Sequence, residues 1–137
     1  LKHQLHTLYM NTAIVMLGSN FHKEVNLEKA KELIREFFEI TGESRILQTK
    51  ARGKKNNGND YLNQALEILS ADSAKETQRH FKHIEDLLGR SPLTSMQGDV
   101  PIDIDIIFWN GVQKRNDYER YDFVKELVDE LIPNQQL

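Results

Sequence analysis

Apolar residues recur at every second position over residues 99–109, where Ile102, Ile104, Ile106 and Phe108 alternate with Asp103, Asp105 and Ile107. A period of two in β-branched residues predicts a strand with one buried face, so Asp103 and Asp105 share the opposite face. Residues 12–17, Thr-Ala-Ile-Val-Met-Leu, predict a buried strand that Gly18-Ser19-Asn20 breaks. Residues 60–69 alternate again, with Leu62, Leu66 and Ile68 on one face and Tyr61, Asn63, Ala65 and Glu67 on the other. A weaker strand is predicted within residues 44–50, around Ile46 and Leu47.

Between the strands the period changes. Leu27, Ala30, Leu33, Ile34 and Phe37 follow three-four spacing, predicting a helix capped by Asn26 and closed at Gly42. Ser73 and Glu76 have the spacing of a capping box before the stripe Thr77, Phe81, Ile84 and Leu88, with Gly89 as the stop. Val124, Leu127, Val128 and Leu131 outline a third helix that ends before Pro133. Residues 51–59, rich in turn formers and cations, predict a mobile loop. Pro92 and Gly98 predict an irregular connection, and Asn110-Gly111 a tight turn. The order strand, helix, strand, strand, helix, strand predicts a ferredoxin-like α+β sandwich: an antiparallel sheet, two main helices on one face, and a C-terminal helix. The other face, carrying Asp103, Asp105, Tyr61 and Asn63, is expected to be open.

Composition narrows this picture. A chain of 137 residues suits one domain with one core. Residues 1–9 read as an N-terminal extension in which His3 and His6 are mobile, and residues 10–137 as the domain, beginning at Met10. With no cysteine there are no disulfides and no thiolate chemistry, which is compatible with the cytoplasm, the expected location. A net charge of −3 argues against a nucleic-acid partner, and the longest apolar run, residues 104–109, is too short to cross a membrane. The chain is expected to be a monomer.

The candidate chemistry lies on the aspartate strand. At a rise of ~3.3 Å per residue, the Cα atoms of Asp103 and Asp105 lie about 6.6 Å apart. Two such carboxylates can converge on a hard divalent cation whose shell a ligand's oxygens complete, or they can form a solvated strand edge. His80 and His83, three apart on a helix, lack a convergent third ligand and read as exposed or half-buried histidines.

Four blocks in order resemble the 6-hydroxymethyl-7,8-dihydropterin pyrophosphokinase family of the folate pathway. They are Leu17-Gly18-Ser19-Asn20, Asp60-Tyr61-Leu62-Asn63-Gln64-Ala65, Ile84-Glu85-Asp86-Leu87-Leu88-Gly89-Arg90 and Ile102-Asp103-Ile104-Asp105-Ile106-Ile107. The resemblance implies transfer of pyrophosphate from ATP to 6-hydroxymethyl-7,8-dihydropterin. It implies that Asp103 and Asp105 hold two magnesium ions (Mg2+) on the triphosphate, that Arg90 serves the catalytic site, and that Tyr61 and Asn63 contact the pterin. Phe123 matches either the family's other stacking aromatic or a core residue at a helix start. Glu85 also has a family counterpart, or is a solvated helix-end carboxylate.

The chain departs from the family in the loop before the aspartates. Pro92, Met96 and Val100 stand where arginines are expected, Leu93 where a lysine is expected, and Gln97 where a tryptophan is expected. The segment after Trp109 lacks the family's histidine-bearing ATP segment. Arginine forks bind phosphate in ways that proline or threonine cannot replace. The departures therefore imply impaired activity unless Arg52, Lys54 and Lys55 compensate. Two further readings follow: a catalytically impaired pterin- or nucleotide-binding relative acting as a regulatory or interaction module, and a scaffold whose aspartates keep a sheet face soluble.

Overall fold

In the computed structural model, which describes residues 10–132, the first apolar run forms strand β1 (Asn11–Ser19), buried continuously from Ala13 to Ser19. The expectations for residues 1–9, with His3 and His6, lie outside the described residues. Strand β4 (Tyr61–Ser70) pairs antiparallel with one side of β1, and β5 (Asp103–Trp109) with the other. Two short strands, β2 (Glu39–Glu43) and β3 (Leu47–Thr49), share the outer edge of β4, and β6 (Val112–Gln113) pairs with β5. The result is a six-stranded sheet in the order β2-β4-β1-β5-β6, with β3 paired to β4 beside β2 and every pairing antiparallel. This is the ferredoxin-like α+β arrangement expected from the element order.

Helices α1 (Lys23–Phe37) and α2 (Ala74–Leu87) cover one face. Leu27, Ala30 and Ile34 of α1 and Phe81 and Ile84 of α2 pack there on Ala13, Val15, Leu17, Leu66, Ile68, Ile104 and Ile106. The opposite face is not fully open as expected. Val124, Leu127 and Val128 of the C-terminal helix α5 (Asp122–Asp129), which follows the short helix α4 (Asp117–Arg120), cover Ile14, Met16, Ala65 and Ile107. The reason is legible in β1, whose apolar residues occupy both parities, so each face must be removed from water. The end of this face beyond Met16 escapes the helix.

Helix boundaries differ where the chain found other partners. Helix α1 starts at Lys23 after His22, whose φ of 43° reverses the chain. Asn26 lies inside the helix, and its amide donates to the Phe21 carbonyl at 2.7 Å. The helix ends at Phe37 because Phe38 is extended and feeds directly into β2. Gly42 is therefore a strand residue, at the point where β2 slips register against β4, and not a helix cap. Ser73 accepts from the Glu76 amide at 3.1 Å as predicted, whereas the Glu76 carboxylate pairs with Arg79. The connection after α2 contains a helical turn, α3 (Pro92–Met96), with Pro92 at its start and a reciprocal Ser91–Thr94 cap.

A bulge separates the two halves of β5. Ile14 faces Phe108 while Val15 faces Ile106, so Ile107 is an extra residue. Ile107 and Phe108 both turn toward α5, and Trp109 takes the face covered by α1 and α2 in place of the predicted Phe108. Asn110 and Gly111, with φ of 49° and 78°, form the left-handed two-residue turn into β6. The polar loop at residues 51–59, expected to be mobile, is tied at Asn57. Its amide donates to Asp99 at 2.8 Å and to the Asn20 carbonyl at 3.2 Å.

Phe81 is fully buried, with its ring 5.5 Å from that of Phe38, between the helix layer and the sheet. Phe81→Ala is expected to lower the free energy of unfolding by roughly 3–5 kcal/mol, read from the urea midpoint at unchanged m-value.

Candidate active site

The site begins with a glycine in the middle of the sheet. Gly18 pairs with Asn63 of β4 on one side and with Asp103 of β5 on the other, so the three form one row across three strands. A Cβ on Gly18 would lie 3.4 Å from Asn63 Oδ1, 3.8 Å from the Tyr61 ring and 3.9 Å from the Arg52 guanidinium. The missing side chain leaves a floor on which other groups converge.

They enclose a cavity of about 250 Å³ lined by Gly18, Arg52, Tyr61, Asn63, Arg90, Asp103, Asp105, Arg115 and Phe123. All six residues singled out in the sequence, Tyr61, Asn63, Arg90, Asp103, Asp105 and Phe123, therefore meet in one place. Phe123 enters from the start of α5, where it also packs on the second core, as its reading as a helix-start core residue expects. A larger hollow of about 830 Å³ lies near the far end of α5, between Ile14, Phe108, Tyr118 and Leu131, and holds none of these six.

Each strand carboxylate faces an arginine. Arg90 Nη1 lies 2.8 Å from Asp103 and 3.3 Å from Glu85. Glu85 is buried, contrary to a solvated helix end, and its Oε2 accepts from the Ile104 amide at 2.9 Å. Burial raises its pKa, with that amide and Arg90 opposing. Arg115 lies 3.7 Å from Asp105 and 3.1 Å from Asp117. Burial opposes its charge, yet these carboxylates hold its pKa above the ordinary arginine value. Burial, and then the adjacent Asp103 charge, push the Asp105 carboxyl up to about 8, while Arg115 pulls the other way.

Asn63 is fully buried. Its amide donates to the Leu47 carbonyl at 3.1 Å and to Thr49 Oγ1 at 2.9 Å, but Oδ1 has no partner. An unmatched acceptor beside Gly18 is a costly feature in a folded protein and marks where a donor-bearing ligand would be recognised.

The donor set suits magnesium. Two half-buried carboxylates on one strand face are the number this cation takes when phosphates and water complete its octahedron. Burial first, and then the charge of Asp103, disfavours the ionised form of Asp105. Among the described residues, no group of three or more acidic or histidine side chains is placed to hold a metal. His80 instead packs on Phe37 and Phe38 and pairs with Asp72 at 3.3 Å, and His83 is exposed.

Arg115 was not among the residues singled out in the sequence. The Lys114 amide donates to the Ile107 carbonyl at 2.8 Å, which brings the chain after β6 back along β5 and places Arg115 by Asp105. The Asn110-Gly111 hairpin signal could have pointed to this return. Lys54 and Lys55, offered as compensating cations, are exposed and do not line the cavity; of that trio only Arg52 does.

The Asp105 shift has a definite sign. An unfolded aspartate titrates near ~3.9, and the folded group near 8, so the folded state binds the proton more tightly. The stability it contributes is present at low pH and is lost as pH rises from about 4 to about 8. Thermal unfolding of the metal-free protein is expected to show this fall, and Asp105→Asn to flatten it; an unchanged slope in the variant would contradict the assignment.

The sequence profile described as 7,8-dihydro-6-hydroxymethylpterin-pyrophosphokinase (HPPK) matches residues 14–136. Among curated proteins, no sequence matches the chain. The fold is similar to that of Plasmodium falciparum HPPK-DHPS, wild type with pterin and p-hydroxybenzoate, at TM-score 0.56 and 15% identity over 88% of this chain and 31% of that one. A second structure of the wild-type Plasmodium falciparum protein, with SDX-DHP, gives TM-score 0.54 and 14% identity over 91% of this chain and 34% of that one. The chain thus spans about a third of the length of these solved structures. With the profile matched over nearly its whole length, the chain belongs to the 7,8-dihydro-6-hydroxymethylpterin-pyrophosphokinase family.

Proposed function

We propose that residues 10–137 form a domain that transfers pyrophosphate from ATP to 6-hydroxymethyl-7,8-dihydropterin, in the cytoplasm and as a monomer. Among the described residues, no helix is long and apolar enough to cross a membrane. The observation that carries the reading is the row Asn63–Gly18–Asp103, which sets a buried, unmatched acceptor beside the carboxylate pair.

Asn63 Oδ1 would accept from an N–H on the pterin edge, and Tyr61 and Phe123 would offer their faces to its plane. The pterin hydroxyl oxygen forms a bond to the β-phosphorus of ATP and gives up its proton to water, the bond from that phosphorus to the α–β bridging oxygen breaks, and AMP leaves with that oxygen. Magnesium held by Asp103 and Asp105 would neutralise phosphate charge and orient this displacement. Arg90 and Arg115, already drawn to the same carboxylates, would donate to the phosphate oxygens. Arg115 would stand in for an arginine missing from the loop, where α3 presents Leu93 and Met96 to solvent. Glu85 holds Arg90 in place and secures the edge of β5 through Ile104.

That apolar α3 favours a second reading, a pterin- or nucleotide-binding relative with impaired turnover. Calorimetry with 6-hydroxymethylpterin and a nonhydrolysable ATP analogue, followed by an assay of AMP formation, separates the two. AMP release that requires both substrates supports the enzyme; pterin binding without AMP supports the relative.

Asp103→Asn is expected to abolish magnesium-dependent binding of the ATP analogue, and wild-type affinity would remove the metal assignment. Arg115→Ala is expected to slow AMP formation by about 10²-fold or more, the effect of deleting one preorganised donor to transition-state charge.

A further inference from the structure

The two aromatic faces assigned to the pterin already have an occupant. The Arg52 guanidinium carbon lies 4.0 Å from the centroid of Tyr61 and 4.7 Å from that of Phe123. Both distances fall within the range of cation–π attraction. A guanidinium is planar and weakly hydrated, which suits it to such stacking. Arg52 Nη1 also donates to Thr49 Oγ1 at 3.2 Å, the hydroxyl that accepts from the Asn63 amide.

We propose that Arg52 is a resident occupant of the Tyr61–Phe123 slot, displaced when a pterin binds; the inference rests on the pterin reading of this site. The guanidinium has the same planar N–C–N arrangement as the aminopyrimidinone end of a pterin, so it stands in for that part of the ligand. The substitution is incomplete. Arg52 supplies the stacking surface but leaves Asn63 Oδ1 unmatched. A pterin brings both a plane and edge N–H donors, and satisfying that acceptor is what lets it win the slot. Arg52 sits in the loop at residues 51–59, which is anchored to Asp99 and Asn20 through Asn57, so its side chain can leave the rings while the loop stays tethered. Weaker planar ligands, which gain only the stacking that Arg52 already provides, must displace it without that compensation.

The experiment compares the wild-type protein with Arg52→Ala and Arg52→Lys, using 6-hydroxymethylpterin in calorimetry and side-chain NMR of Arg52. In the free wild-type protein, ring currents are expected to move the Arg52 δ-methylene signals upfield, and saturating pterin to return them toward their unstructured positions. Arg52→Ala is expected to bind the pterin roughly 5- to 30-fold more tightly, the span of a cation–π contact on partly desolvated rings. Arg52→Lys, which keeps the charge and loses the plane, is expected to fall between the two. Equal or weaker pterin binding by Arg52→Ala, or Arg52 signals that stay in place while pterin binds, would overturn the proposal. Upfield Arg52 signals with no pterin binding by any of the three proteins would support the occupancy and overturn the pterin reading.

Discussion

The pairing of β1 with β4 and β5 along its whole length is the constraint on which the rest depends. Because β1 is apolar at both parities up to Leu17, it draws α1 and α2 to one face and α5 to the other. At Gly18 the side chains stop while the pairing continues. The sheet therefore keeps its rigidity at the point where it opens a floor, with Asn63 and Asp103 held as neighbours of one glycine. A site on three paired strands is positioned more firmly than one built from loops.

Charge placed on this floor is held in tension. Asp103 and Asp105 lie on the same face at the edge of a buried sheet, and burial together with the Asp103 charge raises the Asp105 pKa. Arg90 and Arg115 offset part of that charge without neutralising the site as a fully buried pair would, since both carboxylates stay half-exposed. Glu85 extends the arrangement inward, joining Arg90 to the backbone of β5. A cation and phosphates entering such a site would replace existing attractions with stronger ones, so little reorganisation of the backbone is required.

The same economy governs the cations around the cavity. The loop before the aspartates carries Pro92, Leu93 and Met96, and its short helix is held by the Ser91–Thr94 cap and by Pro92. Cations reach the cavity from elsewhere: Arg115 from the return after β6, and Arg52 from the loop before β4. Arginine's long side chain lets charge arrive at one point from several places in the fold.

Much of this was legible in the sequence. Alternation and helical spacing are local consequences of burial, so β1, β4, β5, α2 and the antiparallel sandwich follow from Ile14 to Leu17, Leu62 to Ile68, Ile102 to Ile106 and Thr77 to Ile84. The shared face of Asp103 and Asp105 follows from the strand period alone, and family resemblance added Tyr61, Asn63, Arg90 and Phe123. The tertiary structure decided what depends on a partner strand or on the reach of a side chain. Strands β2 and β6 are too short and polar to declare themselves, and exist because β4 and β5 offer unpaired edges. The bulge at Ile107 arises from pairing with β1, and Glu85 is buried only because β5 lies against α2. Arg52 enters the slot, and Arg115 meets Asp105, because chain segments far apart in sequence come together there. Local patterns record which side of an element meets the core; they carry no record of which distant side chain meets which.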